Sequence, residues 1–480
     1  MGAPDPAGAA ARLADACPPH VLAVIEQLHA HGHAGYVVGG SVRDALLGRA
    51  PKDWDLATDA RPERMLHLFP GAVYENAFGT VAVRRDADVL EITTFRNEHD
   101  YADFRRPHRL EFGEDIRDDL ARRDFTLNAI AWGVEAPSGG EPGASVPAGD
   151  TGRDSPAPAI VDPFDGIADL ERGILRAVGD PGTRFREDAL RMVRAVRLAA
   201  MLEVEIEPAT RAAIAANASL VAHLSGERIG AELTRLLAAS RPSVGLRLAG
   251  DTGLLAVISP VLSAQRGVAQ NKVDGEDLWD HTLRSVDAAP AERPIVRLAA
   301  LLHDVGKPST LADGHFHHHD VVGAGLAVEL LERLRTPRAT IESIEVLVRH
   351  HMFTVDPDAT GAAIRRFIKR VGVEHVEALL ELRRADDIGS GRQGDSPTLV
   401  AFRARIEAEL AAEAALDRYA LMIDGTDLMR ELGLEPGPRL GRILDELVEL
   451  VIADPALNEA PTLLLLAQGM LADMQDEAAS

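Results

Sequence analysis

The sequence predicts an α+β protein: an N-terminal head with a mixed sheet, followed by an all-helical neck, a second helical domain and a helical tail. Three observations predict it. Short alternating apolar segments bounded by glycine and charged residues crowd the first 135 positions. A Pro/Gly/Ser-rich stretch at 136–159 breaks that pattern. After about residue 170 the β signal fades, and Ala/Leu/Arg segments of helical period take over. At 480 residues the chain is too long for one ordinary domain, and 46% hydrophobic residues is enough for real cores.

Residues 1–19 are rich in Ala, Pro and Gly and are expected to form a mobile arm. HVLAVIEQLHAH at 20–31 is amphipathic and reads as a helix. GYVVGG at 35–40 reads as a short buried strand ending in a glycine turn, and SVRDALLG as a helix closed by Gly48. KDWDLAT at 52–58 alternates and reads as a strand, as do TVAVRR at 80–85 and DVLEITTF at 88–95. The head spans 20–175, with 136–159 expected as a disordered surface insertion. Periodic segments at 187–202, 209–222 and 227–239 mark the neck, 176–260. Those between 295 and 385 mark the second helical domain, 277–395, and an acidic helical tail follows at 396–480. From about 407 onward the only basic side chains of that tail are Arg418, Arg430, Arg439 and Arg442, so it is not expected to grip RNA.

The charge balance is 51 − 75 = −24. A simple nucleic-acid binder should be basic, but a local basic face can still hold a phosphate backbone. The lysines are only Lys52, Lys272, Lys307 and Lys369; a GC-rich coding sequence accounts for this arginine excess. A single cysteine, Cys17, excludes an internal disulfide and a cysteine-based zinc site. No apolar run approaches the roughly 20 residues of a membrane span. The N-terminus has neither the basic start of a secretory signal nor a myristoylation pattern. The expectation is a cytoplasmic protein with no membrane partner.

Asp53 and Asp55 lie two apart on a predicted strand, so both carboxylates share a face. Close carboxylates repel, and a divalent cation relieves the repulsion; oxygen ligands suit Mg²⁺. Glu91, on a later strand, is placed to join that face, while Leu90 points the other way. Upstream, GGSVRD at 39–44 supplies Gly39 and Gly40, where backbone can approach a ligand, and Arg43 as a fork for phosphate. A phosphate cradle about ten residues before a metal-binding pair is the layout of a nucleotidyl transferase. Taken alone, a D-x-D on a strand is usually solvated; the combination changes its meaning.

GYVVGGSVRDALLGRAPKDWDLAT at 35–58 resembles motif A of the class II tRNA nucleotidyltransferase and bacterial poly(A) polymerase family, within the polymerase-β superfamily. Further matches follow in family order. EITTFRNEHDYADFRRPHRLEFG at 91–113 resembles the third carboxylate strand and its flexible loop. DLARRDFTLNAIAW at 119–132 resembles motif B, in which Arg123 would contact the nucleotide. DPFDGIADL at 162–170 resembles motif C, and RFREDALRMVRAVRLAA at 184–200 resembles motif D. The resemblance implies a polymerase-β-like head in which Asp53, Asp55 and Glu91 are catalytic.

Asp188, Arg191, Arg194 and Arg197 recur at three-residue steps, so adjacent members share a helix face. Spacing alone favours a solvated Asp–Arg pair. The resemblance implies that Asp188 and Arg191 present hydrogen-bond edges to the incoming base. A carboxylate beside a guanidinium can pair with cytosine or, after a small rotation, adenine, and rejects guanine and uracil. Arg194 and Arg197 would hold phosphate or the helix itself. Between 184 and 247 ten arginines face seven acids, a basis for RNA contact.

The helical half carries WDHT at 279–282, LLHDVGKP at 301–308, FHHHD at 316–320, RHH at 349–351 and RADDIG at 384–389. His281, His303, Asp304 and Asp386 match the pattern of HD-domain phosphohydrolases. Imidazole and carboxylate together suit a transition-type divalent ion such as Ni²⁺, Co²⁺, Mn²⁺ or Zn²⁺. His319 and His350 are further candidates, for a second ion. Scattered His20, His29, His31, His33 and His67 read as ordinary core or surface residues.

The resemblance implies template-independent addition of CCA to tRNA 3′ ends from CTP and ATP, with contacts to the tRNA 3′ end and acceptor region. The basic segment that poly(A) polymerases carry after the metal strand is missing from AVYENAFGTVAVRRDADVLEITTF, and NEHDYADFRRPHR at 97–109 is a full-length loop, unlike CC-only enzymes. An A-adding enzyme has nearly the same motifs. A different class is an HD phosphohydrolase with the head as RNA dock; a silent RNA-binding protein is disfavoured by the intact Asp53/Asp55 pair.

Overall fold

The computed structural model describes residues 6–76, 79–85, 88–101, 107–137, 157–270, 272–356, 358–414 and 421–479. It forms two units, residues 1–263 with 333–335 and residues 264–332 with 336–480.

The first unit is built on strands β1 Gly35–Val38, β2 Leu56–Thr58, β3 Val73–Asn76, β4 Thr80–Arg85 and β5 Asp88–Thr94. A separate hairpin of β6 Arg96–Tyr101 and β7 Pro107–Phe112 follows, then β8 Ala131–Val134 and β9 Ala159–Val161. Seven of them make one sheet, in the order β3-β4-β5-β2-β1-β8-β9. All four residues of β1 are buried, which explains an apolar run without alternation: the strand is interior to the sheet. Only β2 and β5 run parallel, with Leu56 opposite Ile92; the other pairs in the sheet are antiparallel. Tyr36, Val38, Ala57, Phe95, Leu120 and Ala131 form one core cluster. Each large side chain buried there contributes roughly 1.5–3 kcal/mol.

Helices α1 Pro6–Ala16, α2 Pro19–Ala30, α3 Gly40–Leu46, α4 Pro62–Leu68, α5 Ile116–Ala121 and α6 Gly166–Arg172 belong to the head. The neck begins with α7 Pro181–Glu187, α8 Leu190–Leu202, α9 Pro208–Asn217 and α10 Gly226–Leu237. The expected mobile arm is corrected by α1. Ala9, Leu13 and Cys17 are buried at four-residue spacing, and α1 packs on α3. Its Ala-rich composition is a helix former's, not only a linker's. The expected insertion 136–159 falls largely on 138–156, outside the described residues.

Two other expectations are corrected. Regular strand begins only at Leu56, so Asp53 and Asp55 lie in the segment leading into β2. The alternation survives, with Trp54 and Leu56 buried and Asp53 and Asp55 exposed. The segment 187–202 is not one helix. Asp188 closes α7 with extended φ −142° and ψ 106°, and α8 starts at Leu190. The Asp188 Oδ1 accepts the Leu190 N–H at 3.0 Å, a local side-chain bond that competes with helical pairing.

In the second unit, helices Leu278–Ala288, Pro294–Leu302, Arg338–His350 and Val373–Gly389 pack together. An Asp277/Asp280 capping box starts the first of them. The helix Pro397–Ala414 is joined to this core by the ring cluster of Phe353, Phe367 and Phe402. Arg365 reaches the carbonyl oxygens of Ile452 at 2.6 Å and Ala453 at 3.1 Å, so packing is continuous across position 396. A last cluster of Leu428, Ile443, Leu447 and Leu463 closes the C-terminal helices.

Candidate active site and metal centre

The head and neck enclose a polar cleft of about 630 Å³. It is lined by Gly39, Gly40, Arg43, Asp55, Glu91, Arg123, Asp188, Arg191, Arg194 and Arg197. Asp53 is not among the lining residues; it is exposed two positions upstream of Asp55. The parallel register Leu56↔Ile92 places Asp55, just before β2, and Glu91, on β5, each one step before a paired position and side by side. Desolvation in the cleft pushes the Asp55 carboxyl pKa up; Arg123 opposes this and Asp53 adds to it. Desolvation also raises Glu91, reinforced by Glu75, Asp55 and Asp53. Carboxylates that raise one another's pKa are what a divalent cation would relieve, so this donor set fits a hard cation.

Gly39 opens the cradle. Its φ is +77°, and a Cβ there would lie 2.8 Å from an Arg123 nitrogen. Only glycine lets that guanidinium close on the start of α3. Arg123 is held by Asp119 at 3.3 Å, and Asp119 also takes Arg122 at 2.6 Å. Burial would raise the Asp119 pKa, but the Arg122 and Arg123 charges override it and hold it below the usual range. Arg43 Nη1 donates to Asn128 Oδ1 at 2.6 Å, Asn128 donates to Asp124 at 3.0 Å, and Asp124 pairs with Arg194 at 2.8 Å. One polar chain therefore links α3 to α8.

Asp188 and Arg191 face the cleft with their own partners. Arg191 Nη1 pairs with Glu187 at 2.7 Å, and Nη2 donates to the Arg122 carbonyl at 2.9 Å. Asp188 pairs with Arg228 at 2.8 Å. Arg197 is bound to buried Glu232 at 2.5 Å. Much of the neck's arginine excess is thus spent internally: Arg184, Arg191, Arg194, Arg197, Arg211, Arg228 and Arg235 all have acidic partners. Sequence reading missed Asp119, Asp124, Asn128, Glu187 and Arg228. The first three sit inside DLARRDFTLNAIAW, where the signal was present; nothing at Arg228 pointed 40 residues back.

The second unit gathers the other predicted set. His281 Nε2 lies 3.1 Å from His303 Nε2 and 3.3 Å from both Asp304 Oδ2 and Asp386 Oδ1. The other oxygen of Asp304 lies 3.5 Å from His319 Nε2 and 3.6 Å from His351 Nε2. Two donor groups result, His281/His303/Asp386 and Asp304/His319/His351. The expected His350 is replaced by its neighbour: His351, just past the end of its helix, turns inward, while His350 belongs to neither group.

Three of the four imidazoles are oriented in the same way. Nδ1 of His303, His319 and His351 faces the carbonyl oxygen three residues earlier, at 2.8, 3.0 and 2.6 Å. A carbonyl demands an Nδ1–H donor, which leaves each Nε2 lone pair inward. The Nε2 atoms of His319 and His351 are buried without a hydrogen-bond partner. Burial lowers the His303 pKa against the pull of Asp304 and Asp386, whereas at His281 burial is outweighed by the hydrogen bonds to Asp304 and Asp386, which raise it. Gly306 lets His319 come close: a Cβ there would meet the His319 carbonyl at 2.1 Å. Lys307, part of the HDVGKP motif, bonds Asp304 at 2.6 Å, and Lys272, which was not anticipated, approaches His281 at 3.4 Å and Asp386 at 3.5 Å.

Comparison with known proteins matches this layout. The Poly A polymerase head domain family matches residues 35–176, a family described as a probable RNA and SrmB-binding site of polymerase A matches 203–266, and the HD domain family matches 275–397. A CCA-adding enzyme of Lactiplantibacillus plantarum is 32% identical over 94% of this chain and 96% of its own length. The chain belongs to the CCA-adding enzyme family. The CCA-adding enzyme of Geobacillus kaustophilus is 42% identical over 51% of the chain, a match spanning 55% of that relative. The Bacillus stearothermophilus CCA-adding enzyme, solved in complex with CTP, aligns at TM-score 0.67 and 26% identity over 97% of this chain and all of its own. Membership of this family agrees with the α+β head, the helical remainder and the HD domain. No described helix is long and apolar enough to cross a membrane.

Proposed function

We infer that this protein is a tRNA nucleotidyltransferase that adds CCA to tRNA 3′ ends from CTP and ATP. The observation that carries this is the single cleft that unites Asp55 and Glu91 with Asp188 and Arg191. Carboxylates for phosphoryl chemistry and a planar donor–acceptor pair for base selection face the same volume. The tRNA 3′-hydroxyl oxygen attacks the α-phosphorus of the nucleotide, a P–O bond forms, and pyrophosphate leaves. Arg43 and Arg123 orient the triphosphate against the glycine turn. Asp188 accepts from the exocyclic amine of cytosine or adenine, and Arg191 donates to the neighbouring ring acceptor. Asp53, Asp55 and Glu91 would hold a divalent cation, with Mg²⁺ the ion best matched to oxygen donors; it supplies charge neutralisation at the reacting phosphate. Positioning and electrostatics carry the rate.

Arg194 and Arg197 act as struts of α8, through Asp124 and Glu232, rather than as free phosphate ligands. Purified protein with Mg²⁺ is expected to release pyrophosphate from CTP or ATP only when a tRNA lacking the appropriate 3′ nucleotides is present. Release without RNA, or equal release from UTP, would contradict this reading.

The second unit supports a metal-dependent phosphohydrolase function. His281, His303 and Asp386 would hold one transition-type ion and Asp304, His319 and His351 another, with Asp304 offering one oxygen to each. Such ions polarise a phosphoryl oxygen, and phosphomonoesters or 2′,3′-cyclic phosphates at damaged tRNA ends are the proposed substrates. His303→Ala protein that binds metal and cleaves such esters like the parent would refute it.

A further inference from the structure

We propose that Arg228 sets the nucleotide choice of the cleft by fixing the Asp188 carboxylate from behind; this rests on the reading of Asp188 as the group that meets the base. Arg228 lies in the first turn of α10, and its Nη2 donates to Asp188 Oδ2 at 2.8 Å. A cation in the first turn faces the positive end of the helix dipole, so the position is electrostatically unfavourable without an anion beside it. Asp188 is that anion. Arg228 does not line the cleft, whereas Asp188 does. The arginine therefore acts through the carboxylate and is a positioning residue.

The local geometry shows why Asp188 needs such a partner. It sits at the break between α7 and α8 with extended φ and ψ, its N–H donating to the Arg184 carbonyl as the last bond of α7. Its Oδ1 takes the Leu190 N–H and its Oδ2 takes Arg228, so each oxygen has one fixed bond and keeps lone-pair capacity. Two bonds from two elements fix the plane of the carboxylate. Without Arg228 the group would be free to rotate about its χ angles. A carboxylate turned out of this plane accepts less squarely from the exocyclic amine of cytosine, so the advantage of cytosine over uracil shrinks. Arg228 Nη1 is buried without a partner, so the guanidinium has a second donor in reserve to follow the carboxylate when it turns from cytosine to adenine.

The test measures kcat and KM separately for CTP, ATP and UTP on tRNA transcripts lacking CCA, for the parent, Arg228→Ala, Arg228→Lys and Asp188→Asn. Arg228→Ala is expected to lose CTP-over-UTP preference by about tenfold or more, chiefly through a higher KM for CTP, with Arg228→Lys recovering part of it. Asp188→Asn combined with Arg228→Ala is expected to be no less selective than Asp188→Asn alone. If Asp188→Asn abolishes selectivity while folded Arg228→Ala and Arg228→Lys keep the parental ratio, this inference fails and the base-reading role stands. If Asp188→Asn itself keeps the parental ratio, the reading beneath it fails. Should Arg228→Ala not fold, Arg228→Lys decides: parental CTP and UTP constants at reduced thermal stability would mean a purely structural strut and overturn the proposal.

Discussion

Asp304 turns one carboxylate oxygen toward His281 and His303 and the other toward His319 and His351, with His351 Nε2 3.6 Å away. Under the proposed assignment of two ions, this buried carboxylate would offer one oxygen to each. Metal analysis after loading with Mn²⁺ or Ni²⁺ is expected to find two ions per chain in the parent. His351→Ala should hold one, and His350→Ala should still hold two. Equal loss in both variants would contradict the assignment of His351.

In the head, Asp55 and Glu91 are joined by strand register rather than by sequence proximity. Asp55→Asn is expected to slow CTP addition by at least about a hundredfold, as loss of a charge at a reacting phosphate typically does. The KM for CTP should change much less, because the proposed triphosphate ligands Arg43 and Arg123 are untouched. A rate within a few-fold of the parent would remove Asp55 from the reaction.

Arg197 and Glu232 form a shielded ion pair at 2.5 Å, with side chains 11% and 3% exposed. Removing the acid leaves the guanidinium buried without its main partner. Glu232→Ala is expected to cost about 3–5 kcal/mol in urea unfolding. Glu232→Gln, which keeps a hydrogen-bond acceptor, should cost less. Parental stability in the alanine variant would show that α10 does not hold α8 this way.

Cys17 tests the packing of the N-terminal helix. Burial pushes its thiol pKa up to about 12, and the residue is 6% exposed. The thiolate is the reactive form, so a thiol reagent in mildly alkaline buffer should label native protein very slowly and denatured protein at once. Rapid labelling of the native chain would return residues 6–17 to the mobile arm that composition suggested.

The sequence carried the strands GYVV, TVAVRR and DVLEITT because burial on one or both faces leaves a direct apolar signature. It carried the glycine cradle, the acid pair and the histidine motifs because their spacing is local. It did not carry what tertiary pairing decides. Val73–Asn76 has exposed Val73 and Tyr74, so that edge strand shows no alternation. The start of α8 depends on one side-chain bond from Asp188, which periodicity does not register. His350 and His351 differ by one residue, and only the end of the helix at His350 decides which turns inward. The neck's arginines read as an RNA face, yet most of those with a described partner bind acids brought in from neighbouring turns or other elements.

One cleft is proposed to add both nucleotides in a fixed order. The most direct measurement incubates a tRNA transcript lacking its 3′ CCA with Mg²⁺ and CTP alone, ATP alone or both, and resolves product length on a gel. Two added residues are expected with CTP alone, and a third only when ATP is also present. A long ladder with ATP alone, or addition of a single A only to transcripts already ending in CC, would contradict it.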